Sequence, residues 1–353
     1  MRWCAMPRTV HRNSAVIDST ERAYDLNVPQ ERWLQDVIER LRPAFDGGLG
    51  IFGWLYDARD FKNLVFTRPV FLDIHQGLPA ALMQCSKDPD TSLSHLQMHY
   101  RTPAGPFSMS LGNWFAHYKP WRKYVYPLGI KDLLVVNGID SNRKGCAISA
   151  PRREITRITP ERLALLQYFS SHLATAYRLR RRTESGAEGR PGPEHARVEA
   201  VLSPSGRVEH ASTAGRRRDA RHALSIAVRA AERARGKLRR AEPAEAMQIW
   251  KAMVADRWSL CDHFESDGRR YILAYVNTPE APRLRVLSGL ERRVLSCSAL
   301  GKSNKLIAHE FGIPLSAVSS ALKRAAAKLG AGRPRDLVAL MDRVLAAPVS
   351  AEG

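Results

Sequence analysis

Five side chains near the C-terminal end of the chain have types and spacing suited to contact with a nucleic acid. Ser316, Ser319, Ser320, Lys323 and Arg324 recur at three- and four-residue steps, so a helix would carry them on one face. That face is small, polar and basic, as entry into a major groove requires; bulky or acidic side chains would block approach or repel phosphate. Lys302, Lys305, Lys328 and Arg333 lie close by in sequence and add to the electrostatic attraction for phosphate.

Other candidate chemistry is thinner. Gly301-Lys302-Ser303 looks like the end of a phosphate-binding loop, but Ser296 stands where that loop needs its first glycine. His95 and His99 could share a helix face as metal ligands. No glutamate follows His95 in an H-E-x-x-H arrangement and no third ligand is evident, so neither metal nor cofactor is expected. Neither a G-x-S-x-G elbow nor a receiver's acidic phosphorylation pocket is present, and no catalytic constellation supports an enzyme. An aromatic cluster includes Trp114, Tyr118, Trp121 and Tyr124, which could line a small-molecule pocket or form ordinary core. The five cysteines are scattered without a C-x-x-C pair, which fits a reducing compartment and no disulfide framework.

The charge balance points to a polyanionic partner. Over 353 residues, 55 lysines and arginines face 35 acids, for a formal charge of +20. Residues 283–343 and residues 216–240 each carry a net +8, so two segments hold most of the excess. The second is rich in alanine and arginine and reads as a helix with a solvated basic face, or as a contact for nucleic acid or a partner. No apolar run is long enough to span a membrane and residues 1–20 lack a signal peptide's apolar segment, so a cytoplasmic protein is expected.

The elements that would position these residues follow from periodicity. Residues 1–23 read as irregular or disordered, and 30–45 as a helix that Pro43 ends. Residues 48–57 and 63–72 form a strand pair, 76–100 and 113–124 are helical, and 131–140 and 145–151 are strands. A long helix follows Thr159-Pro160. Residues 183–193 are a Gly/Pro/Glu-rich linker. Beyond it, hairpins near Ser203–Gly206 and Ser266–Gly268 bracket helices in a small α+β unit over 194–280. Residues 284–346 read as four short helices: Ser288 and Ser303 cap the first two, and Gly312-Ile313-Pro314 makes the turn into the third. Residues 347–353 are a tail.

The C-terminal segment resembles the DNA-binding domain of LuxR/GerE-type transcriptional regulators. Leu287, Ser288, Glu291, Val294 and Leu295 match the opening of that pattern, and Ala299, Gly301, Ser303, Asn304, Lys305, Ile307 and Ala308 its centre. Gly312, Ile313, Val318, Leu322, Lys328, Leu329, Gly330, Leu337 and Val338 complete it. The departures fall on residues that usually contact DNA. Leu290 replaces an arginine, Ala317, Ser319 and Ala321 replace a threonine, a lysine and a histidine, and Pro334 replaces another arginine. Ser303 is a further DNA-binding candidate, and the resemblance implies that Asn304 and Lys305 lie near the DNA backbone and that Lys328 contacts a phosphate. It also implies that a final helix with Leu337, Val338, Leu340, Met341, Val344 and Leu345 mediates a homodimer, although the same stripe would serve as ordinary core.

In element order alone, residues 24–182 resemble a GAF-type sensor, and residues 194–280 are loosely PAS-like. The expectation is therefore an α+β sensory region followed by an all-α helix-turn-helix. Double-stranded DNA, a second copy and a small-molecule or protein signal are the expected partners. An adaptor that keeps the helical fold for protein contacts alone is the alternative.

Overall fold

A computed structural model describes residues 8–61, 63–187, 197–265, 268–277, 286–329, 331 and 337. It has mixed helix and strand content built on two antiparallel sheets. The first comprises β1 (Ile51–Asp57), β2 (Val65–Leu72), β3 (Ala104–Pro106), β4 (Asp132–Ile139) and β5 (Lys144–Arg152), in the order β2-β1-β5-β4-β3. Alternation along a strand sends neighbouring side chains to opposite faces, and here both faces are covered. Ile51, Leu55, Leu134, Val136 and Ile148 pack against α1 (Arg8–Ala23), α2 (Gln30–Phe45) and α6 (Pro160–Ala187). Phe52, Leu133 and Val135 face the other way, toward α3 (Leu78–Lys87), α4 (Leu93–Arg101), α5 (Phe107–Leu111) and the helical turns that follow. Two covered faces explain why every residue of β4 is buried, an unbroken run with no polar alternation.

Several expectations need correction. Residues 8–23 are helical rather than irregular. Val16 and Ile17 are buried, while Ser19 and Thr20 satisfy their hydroxyls on the carbonyls of Val37 and Val16, so a polar-looking segment still buries a face. The stretch 76–100 is two helices, separated at Pro89 and restarted by the Ser92 cap, whose hydroxyl accepts from the His95 N–H. Residues 104–106, read as a break, add the edge strand β3. Residues 113–124 form no single helix: a 3₁₀ turn over Gly112–His117 and a wider turn over Trp121–Val125 are separated by Pro120. Pro43 lies inside α2, which continues to Phe45. The long helix α6 runs to Ala187, so the first residues of the expected linker are helical and the rest lie outside the described residues.

The second sheet holds β6 (Val198–Leu202), β7 (Val208–Ala211), β8 (Trp258–Phe264) and β9 (Arg270–Val276) in the order β7-β6-β9-β8. Pairing of β6 with β9 joins the two expected hairpins into one sheet. The amphipathic helix α7 (Arg218–Arg235) buries Ala220, Leu224 and Val228 against that sheet, and α8 (Leu238–Ala241) and α9 (Pro243–Ile249) follow it. This unit shares its packing with the first. His172 on α6 bonds the Trp250 carbonyl at 2.8 Å, Asn277 donates to the Thr175 carbonyl at 3.2 Å, and Arg239 reaches Asp18 at 2.9 Å and Glu21 at 2.5 Å.

Candidate nucleic-acid interface

Three helices follow, α10 (Gly289–Ala299), α11 (Asn304–Phe311) and α12 (Leu315–Lys328). Each boundary has a local cause. Ser288 and Glu291 form a reciprocal capping box at the start of α10, and the Ser303 hydroxyl accepts from the Leu306 N–H at 3.2 Å to cap α11. Gly312 adopts φ 62° at the end of α11, a left-handed residue that turns the chain toward α12. Val294, Ile307, Phe311, Val318 and Ala321 close the small core between the three helices. Leu337 packs with Leu287, Leu295 and Ala325; the rest of the expected fourth helix, with its dimerisation residues and Arg333, lies outside the described residues.

The arrangement sets several sequence candidates on the surface. Ser316, Ser320 and Lys323 are exposed on α12, and Ser319 is half-buried beside them. Asn304 and Lys305 are exposed in the first turn of α11, with Ser303 just ahead, its oxygen engaged in the cap. Arg324 and Lys328 are also exposed but not independent: both donate to the buried Glu291 carboxylate, at 3.1 Å and 2.8 Å. Leu315 is an apolar neighbour on this surface that the sequence reading did not single out.

Glu291 therefore ties α10 to α12. Its carboxyl is held down at about 2, first by the Lys328 hydrogen bond, then by the Ser288 N–H, against the opposing effect of burial. A carboxyl lowered in the folded state contributes stability above its unfolded value near 4.5, and that contribution is lost as pH falls toward 2. Glu291→Gln should accordingly remove an acid-dependent share of stability. The wild-type advantage in melting temperature should be constant at neutral pH and shrink below about 4.5. His99, pushed by burial to about 4, and His172, pushed by burial to about 3, lose stability from about 6.5 downward in both proteins and cancel in the difference. An advantage independent of pH down to 2 would contradict the assignment.

One basic residue escaped the sequence reading. Lys251, from the loop after α9, has its ammonium destabilised first by burial and then by repulsion from Lys305. Its Nζ donates to the Gln248 carbonyl at 2.8 Å. No periodic pattern in the sequence could have brought a loop lysine of the second unit beside the start of α11.

The supporting helix is also the anchor of this domain on the rest of the chain. Lys302 and Glu310 form an ion pair at 2.6 Å with both residues almost wholly buried, and Lys302 Nζ also donates to the Ile139 carbonyl of β4 at 2.8 Å. The His309 ring lies 4.2 Å from that of Tyr168 and 5.5 Å from that of His172, both on α6. Arg293 pairs with Asp256, whose N–H donates to the Phe311 carbonyl at 2.6 Å. Leu306 joins the core between α1, α2 and α6, while Leu300 packs with Tyr56 and Tyr100.

The proposed aromatic pocket separates into individual roles. Trp121 is buried and donates to the Lys131 carbonyl at 3.0 Å; Tyr124 donates to Asp88 at 3.0 Å. Tyr118 is buried with its hydroxyl beside Thr91 at 2.8 Å and Cys85 at 3.4 Å. Trp114 is 53 % exposed and packs edge-on against His95. Of the four, Trp114 and Tyr118 alone line a common hollow, an open cleft of about 500 Å³ that also touches His95, His117 and Lys119. Among the described residues, no group of three or more His, Cys, Asp or Glu side chains is placed to hold a metal ion, and no helix is long and apolar enough to cross a membrane. Comparison with known proteins returns no significant match to any family model, curated protein or solved structure.

Proposed function

We propose that the chain is a DNA-binding transcriptional regulator of the LuxR type, governed by a signal received in residues 24–280. The observation that carries this reading is the turn at Gly312, which joins α11 to an α12 whose Ser316, Ser320 and Lys323 face solvent together. Small hydroxyls at the start of a helix and a lysine one to two turns later suit a major groove, with Lys305 and Asn304 at the backbone. Control by the rest of the chain rests on the anchoring of α11. A signal that alters the packing of α6, β4 or the 250–257 loop would change how residues 284–346 are presented, provided the two arrangements differ in DNA affinity.

Lys323→Glu tests the assignment. Placing an acid on the groove face should abolish retention of duplex DNA at moderate salt while leaving the melting temperature unchanged, since the side chain is exposed. Equal retention by the variant and the wild type, measured by fluorescence anisotropy, would remove α12 from the interface.

An adaptor that binds protein rather than DNA is the second reading. It draws on Arg324 and Lys328, which spend charge on Glu291, and on the serine and alanines that stand where the family has a lysine, a threonine and a histidine. A response to DNA that is flat across salt concentrations would favour it.

A further inference from the structure

The arginines of α7 divide into two sets with different work. On the inner side Arg235 reaches Asp262 on β8 at 2.9 Å, within the unit, and just beyond the helix Arg239 reaches Asp18 and Glu21, which ties the unit to α1. On the outer side Arg218, Arg221, His222 and Arg229 are exposed, and their side chains form no hydrogen bond or ion pair among the described residues. Arg218, His222 and Arg229 fall at steps of four and seven residues and share one stripe on the face away from the buried Leu224, with Arg221 on its flank. From Arg218 to Arg229 the stripe spans about 16 Å at 1.5 Å per residue. The neighbouring acids do not offset it. Glu232 is committed to Arg270 and Arg235, while Asp219 pairs with Arg217 at 3.4 Å on the open surface, where such pairs exchange readily.

We infer that this stripe is a second, sequence-independent contact for the phosphate backbone of duplex DNA. The inference rests on the DNA-binding reading of the helix-turn-helix and extends it to a separate unit of the same chain. Guanidinium groups suit phosphate because their planar donor forks match its oxygens. Unpaired arginines along one helix face match a polymer that carries a charge about every 1.7 Å of its axis. A membrane surface fits less well. The apolar side of α7 is consumed by the core, and Ile226 is its sole exposed large hydrophobe, so the helix has no face to insert. With α7 engaged, the total phosphate contact exceeds what α11 and α12 supply, and the salt dependence steepens by about 0.9 for each added contact.

The test measures binding of the full chain to a random-sequence duplex pool between about 50 and 200 mM salt. Three proteins are compared: wild type, R218Q/R221Q/R229Q and R218K/R221K/R229K. Each lost phosphate contact lowers the slope of log K against log salt by about 0.9, so the glutamine variant should lose two to three units of slope. At 0.1 M salt the same relation makes each contact worth roughly eightfold in affinity. The lysine variant should keep most of the slope, and all three should melt together because the positions are exposed. A glutamine variant with the wild-type slope, beside a wild type that binds, would overturn the stripe and leave the helix-turn-helix reading intact. A wild type that retains no duplex even at low salt would overturn both.

Discussion

Lys302→Met should cost about 3–5 kcal/mol of stability, the toll for leaving one partner of a buried ion pair uncompensated. Glu310 is 0 % exposed, and in the wild type Lys302 is 4 % exposed and gives Glu310 a hydrogen bond at 2.6 Å. Without the ammonium, the Glu310 carboxyl stays buried without its partner, or α11 must leave α6 and β4 so that it meets water. The second route releases the domain, since the same lysine is its tie to the Ile139 carbonyl. Chemical denaturation followed by tryptophan fluorescence, with limited trypsin digestion in native buffer, checks both. The double variant K302M/E310L should recover most of the loss, because well-packed apolar residues often replace a buried pair at little cost. A single variant as stable as the double would contradict the buried pairing. A pair of this kind adds little net stability over well-packed apolar side chains.

Gly312→Ala should be nearly as severe, for two reasons that can be separated. A left-handed residue with a side chain costs about 1–2 kcal/mol. In addition, a Cβ at position 312 would lie 1.9 Å from the Met253 carbonyl oxygen, and backbone cannot yield as a flexible side chain would. The 252–257 loop is itself held, by the Asp256 N–H on the Phe311 carbonyl and by left-handed residues at Ala255 and Asp256. Asparagine tolerates the left-handed conformation but brings the same Cβ, so Gly312→Asn should rescue only the conformational share. Thermal unfolding of the full chain decides: both variants should melt well below wild type, with asparagine slightly ahead. Wild-type stability in the asparagine variant would mean that the loop does not press on the turn.

Helices α10, α11 and α12 were legible in the sequence because their signals are local. Ser288, Ser303 and Gly312 announce helix ends through their own backbone chemistry, and each performs that task in the structure. Strands β1, β2, β4 and β5 were legible for a similar reason, as apolar runs bounded by turns. The α1 helix was not, because its buried apolar residues, Ala15, Val16, Ile17 and Ala23, make a weak stripe and it also buries Ser19, whose hydroxyl finds its partner on α2. Even less visible was the docking of α11. Lys302, His309 and Glu310 carry the residue types of a solvated face, yet each is at most 4 % exposed once α6 and β4 close over them. The aromatic cluster shows the converse. Trp121 has the composition of a pocket residue and tertiary packing makes it core, while Tyr118 is buried yet also lines the open cleft beside Trp114. Burial by another unit leaves no trace in local periodicity, so the exposed side chains of α12 could be read from the sequence while the anchoring of α11 could not.

The central claim, that α12 reads duplex DNA, is tested most directly by selection from a random duplex pool with the full chain at two salt concentrations. A dimeric regulator should enrich a palindrome with half-sites about one helical turn apart, and the enrichment should survive the higher salt. Failure to enrich any sequence, with retention vanishing at the higher salt, would leave only non-specific attraction to phosphate and contradict the account.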